Sequence, residues 1–192
     1  MRTRWKQFAF AATLAVAMVA AHGQTAGIDP ALLVRAYRGD ATAQVQIGDC
    51  YTAGKGVTQD LIEAAKWYKK AADTGNISGE IHLAALYRDG GKGFPRDMEQ
   101  AAALYCKAAE QGDVDAQGTL GVLYSIGQGV PQSYVEAYYW LDLAAAVRGP
   151  RQEQYSANRQ LIGTHITTDE LAQVKERVAA WLAAHPRPND AR

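Results

Sequence analysis

GDVDAQGTLGVLYSIGQGVPQSYVEAYYWLDLAAAV, residues Gly112 to Val147, is written as a helix, a glycine-rich turn and a second helix. Ala116, Leu120 and Tyr124 fall at i, i+4 and i+8, which puts all three on one helical face. Gly127-Gln128-Gly129 breaks that helix, and Val130-Pro131 leads out of the turn. Ser133 opens the next helix with Glu136 three residues on, the spacing of a capping box. Ala137, Trp140, Ala144 and Ala145 form its apolar face. The spacing predicts a helical hairpin.

The pattern stands twice more upstream. Gly39 to Thr74 carries Ala43, Ile47-Gly48 and Tyr51, then Gly54-Lys55-Gly56-Val57, then Ala64, Trp67 and Ala71-Ala72. Gly75 to Gln111 carries Leu83 and Tyr87, then Gly90-Gly91-Lys92-Gly93, then Ala101, Leu104 and Ala108-Ala109. The starts at 39, 75 and 112 lie 36 and 37 residues apart, the second unit having one extra turn residue. The caps recur as Asp60 with Glu63, Asp97 with Gln100 and Ser133 with Glu136. A period of this size predicts stacked hairpins, each burying its face on its neighbour.

At these residues the chain resembles the Sel1-like repeat (SLR) family of the tetratricopeptide superfamily. The family pattern is Ala-x3-Leu-Gly-x2-Tyr, a Gly-x-Gly-Val turn, then Ala-x2-Trp-Tyr-x2-Ala-Ala. The match runs from Gly39 to Arg148 and departs from the pattern at Gly79, Ala84 and Leu104, all small or apolar. The resemblance implies an all-α fold: a right-handed α-α superhelix of three helical-hairpin repeats (39–74, 75–111 and 112–148) with terminal capping helices.

The flanks complete this division. Arg2, Arg4 and Lys6 precede an apolar run from Phe8 to Ala21, too short to span a bilayer, and Ala21-His22-Gly23 offers small residues for cleavage before Gln24. Residues 1–23 are therefore expected to be a secretory signal peptide and the mature chain to be periplasmic or secreted. Residues 24–38 form an N-terminal capping helix, with Asp29 as N-cap and Pro30 in first position. Residues 149–185 read as a degenerate closing hairpin whose second helix is capped by Thr167 with Glu170. Its apolar side carries Leu171, Val174, Val178, Trp181 and Leu182. Residues 186–192 are expected to be a disordered tail.

The chain has 20 cationic and 20 anionic side chains, so loss of Arg2, Arg4 and Lys6 leaves 17 against 20, a net charge of −3. A mildly acidic chain with no basic block argues against nucleic acid or anionic lipid as the main partner. With no apolar segment after the signal, stable membrane insertion is not expected. Cys50 and Cys106 stand in different repeats; an oxidising compartment permits a disulfide between them, but nothing in their placement indicates one.

No catalytic constellation stands out. The histidines at 22, 82, 165 and 185 are scattered, and neither His-Glu-x-x-His nor Cys-x-x-Cys occurs, so no metal or cofactor site is expected. Asp73-Thr74-Gly75 spells an aspartic protease triplet but occupies a repeat junction. Gly54-Lys55-Gly56 lacks the strand and downstream motif of a phosphate loop. Asn76-Ile77-Ser78 has the form of a glycosylation sequon, meaningful only in a eukaryotic secretory route. β-Lactam binding or hydrolysis has been proposed for cysteine-rich relatives, so the resemblance leaves a binder or hydrolase of a small cell-wall-like ligand as an alternative. The serine route needs Ser-x-x-Lys and Lys-Thr-Gly, and neither follows Ser78, Ser125, Ser133 or Ser156.

The informative face lies opposite the Ala/Leu/Tyr stripe of each first helix. At 100° per residue it carries Thr42, Val45, Asp49 and Thr52 in the first repeat, Ser78, Ile81, Ala85 and Arg88 in the second, and Asp115, Gly118, Val122 and Ser125 in the third. Asp89 and Ile126 adjoin it. A merely solvated face would be rich in Lys and Glu, and this one has neither. In the superfamily the first helices line a concave groove, so the resemblance implies a non-enzymatic adaptor that grips a protein or peptide segment there. Arg88 then suits a partner carboxylate beside an aliphatic residue. The alternative is that Asp49 and Asp89 hold Arg88 as a structural pair.

Overall fold

The computed structural model describes residues 27–186. The expected signal peptide and, apart from Pro186, the expected tail lie outside the described residues. Within them the chain is helical, with one isolated bridge between Gly91 and Phe94. The helices are α1 (Pro30–Tyr37), α2 (Ala41–Ala53), α3 (Leu61–Ala72), α4 (Ile77–Asp89), α5 (Met98–Glu110), α6 (Val114–Ile126), α7 (Tyr134–Ala145), α8 (Gln152–Gly163) and α9 (Thr168–Ala184). None is long and apolar enough to cross a membrane.

Short polar side chains start all of these helices except α8 by accepting otherwise orphaned N–H groups. Asp40 accepts from Ala43 at 3.0 Å, Asn76 from Gly79 at 2.9 Å and Asp113 from Ala116 at 2.8 Å. Asp60, Asp97 and Ser133 do the same for the second helix of each repeat. Only Thr167 with Glu170 completes the reciprocal capping box. At two of the others the expected partner is engaged by a cation: Glu63 by Lys66, and Glu136 by Arg177 of α9.

The hairpin turns of repeats one and three close alike. The N–H of Asp60 donates to the carbonyl of Tyr51, and that of Ser133 to the carbonyl of Tyr124, both at 3.0 Å. Gly56 (φ 74°) and Gly129 (φ 72°) sit in the left-handed region that favours glycine. A Cβ at Gly129 would stand 1.9 Å from the Met98 carbonyl oxygen, and one at Gly56 would stand 2.3 Å from that of Gly27. The second glycine of the turn thus also lets the backbone dock on the start of the preceding second helix.

The packing forms two compact units that meet between Arg96 and Asp97. The boundary falls between α4 and α5, inside the second sequence repeat, so compact units and sequence repeats do not coincide. In the first unit, α1 packs on α2, α3 pairs with α2, and α4 packs on α3 and α2. Leu33, Ala36, Ala43, Ile47, Ala64, Trp67, Tyr68, Ala71, Leu83 and Ala84 form its core. Gly79 is more than a tolerated departure from the pattern. A Cβ there would lie 2.7 Å from Ala71 Cβ and 2.8 Å from Ala72 N.

In the second unit, α5 packs on α6, α6 on α7 and α7 on α8, with Ala137, Leu141, Ala144, Ala145, Tyr155 and Ile162 as one buried cluster. A glutamine marks three of the junctions, buried at 44 and 117 and half-buried at 152, while Glu80 holds the place between α3 and α4. Gln44 Nε2 donates to the Ala36 carbonyl at 3.0 Å and Gln117 Nε2 to the Ala109 carbonyl at 3.1 Å. Gln152 Nε2 donates to the Ala145 carbonyl at 3.2 Å. These bonds give α1 the place of a lone second helix and α8 the place of a further first helix. The closing pair is not a hairpin like the others, however. Helix α9 packs on α7, burying Val174 and Val178, while Arg177 reaches Glu136 at 2.8 and 3.0 Å and covers the Tyr139 ring.

Candidate partner-binding surface

The face expected to bind a partner divides between the two units. In the first, α2 is packed by α1, α3 and α4, so less of it is free than the helical wheel alone suggests. Val45 is a correction: it is only 7% exposed and belongs to the core. Asp49 is exposed, but its carboxylate accepts the Tyr68 hydroxyl at 2.7 Å. Thr52 donates to the Gly48 carbonyl at 3.0 Å and lies 3.1 Å from the same phenol oxygen. The Tyr68 ring fills the space a Cβ on Gly48 would need. His82 of α4 leans on that ring, its Nδ1 donating to the Ser78 carbonyl at 2.7 Å and its Nε2 standing 3.5 Å from Asp49.

On α4, Ser78 is exposed, and Ile81 and Ala85 are half-buried. Arg88 Nε and Nη2 donate to the two carboxylate oxygens of Asp89 at 2.7 and 2.9 Å. This pair holds the Asp89 carboxyl below the usual range. Arg88 is therefore spent on Asp89, and Asp49 on Tyr68.

In the second unit the same face of α6 carries Asp115 at its start and Val122, Ser125 and Ile126 towards its end. Gly118, between them, is buried beneath the Tyr155 ring of α8 and presents no surface. Asp115 accepts the Tyr155 hydroxyl at 2.6 Å and lies 3.3 Å from Arg151 Nη1. Ser125 donates to the Val122 carbonyl at 2.7 Å. Val122 and Ile126 are 37% and 53% exposed, an apolar pair one turn apart on a helix whose other hydrophobes are buried or half-buried.

Two repeated devices have sequence signals that the apolar stripe hides. Gln44 and Gln117 recur immediately after Ala43 and Ala116. Gln59 and Gln132 recur immediately before a cap, each donating to a carbonyl of the preceding helix's last turn at 2.8 Å, Thr52 and Ser125 respectively. Among the described residues no cluster of three or more His, Cys, Asp or Glu is placed to hold a metal ion. Cys50 and Cys106 are free thiols. Burial raises both ionisations, that of Cys106 to about 11 with Glu110 adding to the effect.

The family model of the Sel1 repeat matches residues 41–76, 77–113 and 114–146, together more than half of the chain. Among solved structures, the chain is similar to a Sel1 repeat protein from Oxalobacter formigenes, at 33% identity over 65% of this chain and 50% of that chain, with a TM-score of 0.60. A protective antigen present in uropathogenic Escherichia coli strains and displaying an SLR fold matches at 21% identity over 79% of this chain and 55% of that chain, with a TM-score of 0.43. The chain thus spans about half the length of these relatives. Comparison with curated proteins found no match. Three matched repeats, each with two helices joined through a glycine-rich turn, make this all-α solenoid chain a member of the Sel1 repeat family.

Proposed function

We propose that the protein is an exported, non-enzymatic adaptor of the cell envelope that grips a segment of another protein on its first-helix faces. Repeats of this family generally serve as protein-interaction scaffolds, and the basic, apolar start of the chain supports export. The observation that carries the reading is the exposed Val122–Ile126 pair on α6. Leaving two large aliphatics in water costs about 25 cal/mol per Å² of apolar surface, which a partner recovers on binding.

Photo-crosslinking in intact envelopes tests it. A photoreactive residue at Val122 or Ile126 should capture one protein, and the same residue at Ile62, an exposed aliphatic of a second helix, should not. Equal capture at all three positions would overturn the assignment. Fractionation should place the chain outside the cytoplasm, and purified protein should not turn over a chromogenic β-lactam. Turnover would return the small-ligand reading to first place.

A further inference from the structure

We infer that the face of α7 lying under α9 is a docking site for an amphipathic helix of another protein, and that α9 is a strap holding it closed. The adaptor reading places a partner on the first helices; this second site is independent of it. The second helices of the three repeats differ at corresponding places. Six and ten residues after the cap, α3 has Lys66 and Lys70 and α5 has Ala103 and Lys107, all exposed. In α7 the same two places hold Tyr139 and Leu143, 8% and 0% exposed. Being four residues apart, they share one helical face. That face is apolar in the third repeat alone, and α9 packs on α7.

The strap is lightly held. Of the 17 residues of α9 only Val174 and Val178, one turn apart, are buried. Between them Arg177 donates through both Nη atoms to the Glu136 carboxylate at 2.8 and 3.0 Å. Its Cζ lies 4.4 Å from the centroid of the Tyr139 ring. This pin stays within reach of water, with side-chain exposures of 46% for Arg177 and 32% for Glu136. Residues 164–167 join α8 to α9, whose packing is on α7 rather than on α8. A helix with two buried side chains and one exposed pin opens locally before the rest of its unit unfolds.

What α9 presents to α7 defines the occupant. It is a helix with aliphatic side chains four residues apart and an arginine immediately before the second. The guanidinium fork meets the Glu136 carboxylate in two bonds, and its flat face meets the Tyr139 ring. A partner helix lying in the same place must carry the same pattern. An acidic helix would set its charge against Glu136. Because α9 competes for the site, the partner's apparent affinity is lowered by the fraction of chains that are closed.

The test uses the full chain and, as probe, a fluorescein-labelled peptide with the sequence of residues 168–184. Fluorescence anisotropy should show R177A binding it about tenfold tighter than the native chain, since the site is vacated while Glu136 and Tyr139 remain. Adding E136R to R177A should abolish that binding, and a peptide carrying R177E should restore it. In the native chain, hydrogen exchange should show α9 opening while α7 and α8 stay protected. Equal binding to the native chain and R177A, or binding indifferent to E136R, would overturn the inference. So would α9 amides that exchange only together with those of α7. A native chain that dimerises by light scattering and becomes monomeric in R177A would assign the face to α9 of a second copy and overturn it as well.

Discussion

Tyr68 and Tyr155 do one job from two different helices. Each ring covers a glycine of a first helix, Gly48 or Gly118, and each hydroxyl gives its only proton to an aspartate on that helix. Burial, and then the bond to Asp115, pushes the Tyr155 ionisation from 10.0 up to about 12. The folded state thus holds this proton more tightly than the unfolded chain does. Its contribution to stability is complete below about pH 10 and falls as pH rises towards 12. Urea midpoints measured across that window should drop in the native chain and drop less in Tyr155→Phe; parallel slopes would refute the assignment. Gly79 supports a steric prediction. Gly79→Ala should cost about 1–3 kcal/mol because the new methyl meets Ala71 and the Ala72 backbone. Gly149→Ala, with nothing within 4 Å, should fold as well as the native chain. Equal melting of the two variants would show that α3 and α4 yield freely.

At the scale of the element, the buried glutamines hold successive helices in register. Gln117 is fully buried, and its amide bonds to the last turn of α5 as Gln44 does to α1. Gln117→Ala should cost about 1–3 kcal/mol in chemical denaturation, from the lost bond and the space left behind. The exposed Gln46→Ala is the matched control and should cost almost nothing. The glutamines recur in repeats one and three, with Glu80 at the same place in repeat two, but they sit off the apolar stripe and so escaped the sequence reading. Helix α9 was legible as an element, with its capping box and its Val174–Val178 pair, but its partner was not. Glu136 has the spacing of a cap residue, and only the fold shows its carboxylate reaching Arg177 instead. Local spacing can assign a helix and a face without saying which distant helix will cover it.

For the whole molecule, the hairpins were legible because glycine turns, caps and apolar stripes recur in register, and every copy reinforces the others. The binding face was legible only in part. A helical wheel places Val45 and Gly118 outward, but burial depends on how many neighbours a helix acquires, and α2 and α6 each acquire more than a hairpin supplies. The compact boundary after Arg96 was not legible at all, since a first helix packs on the preceding second helix as it does on its own partner. This dependence on neighbours makes α8 decisive for the second unit. Helix α8 supplies Tyr155 and Ile162 to the buried cluster of the second unit, while Glu153, Gln154 and Gln160 remain exposed. It therefore covers an apolar face of α7 while turning these polar residues, beside the exposed Leu161, outward. A chain ending at Arg148 should expose Leu141, Ala144 and Ala145, melt well below the full-length protein and associate on size-exclusion chromatography. A chain ending at Thr164, which keeps α8 and loses only α9, should keep the association state of the full-length protein and melt between the two. If the chain ending at Arg148 melts with the full-length protein, α8 is an appendage and not the closing element of the solenoid.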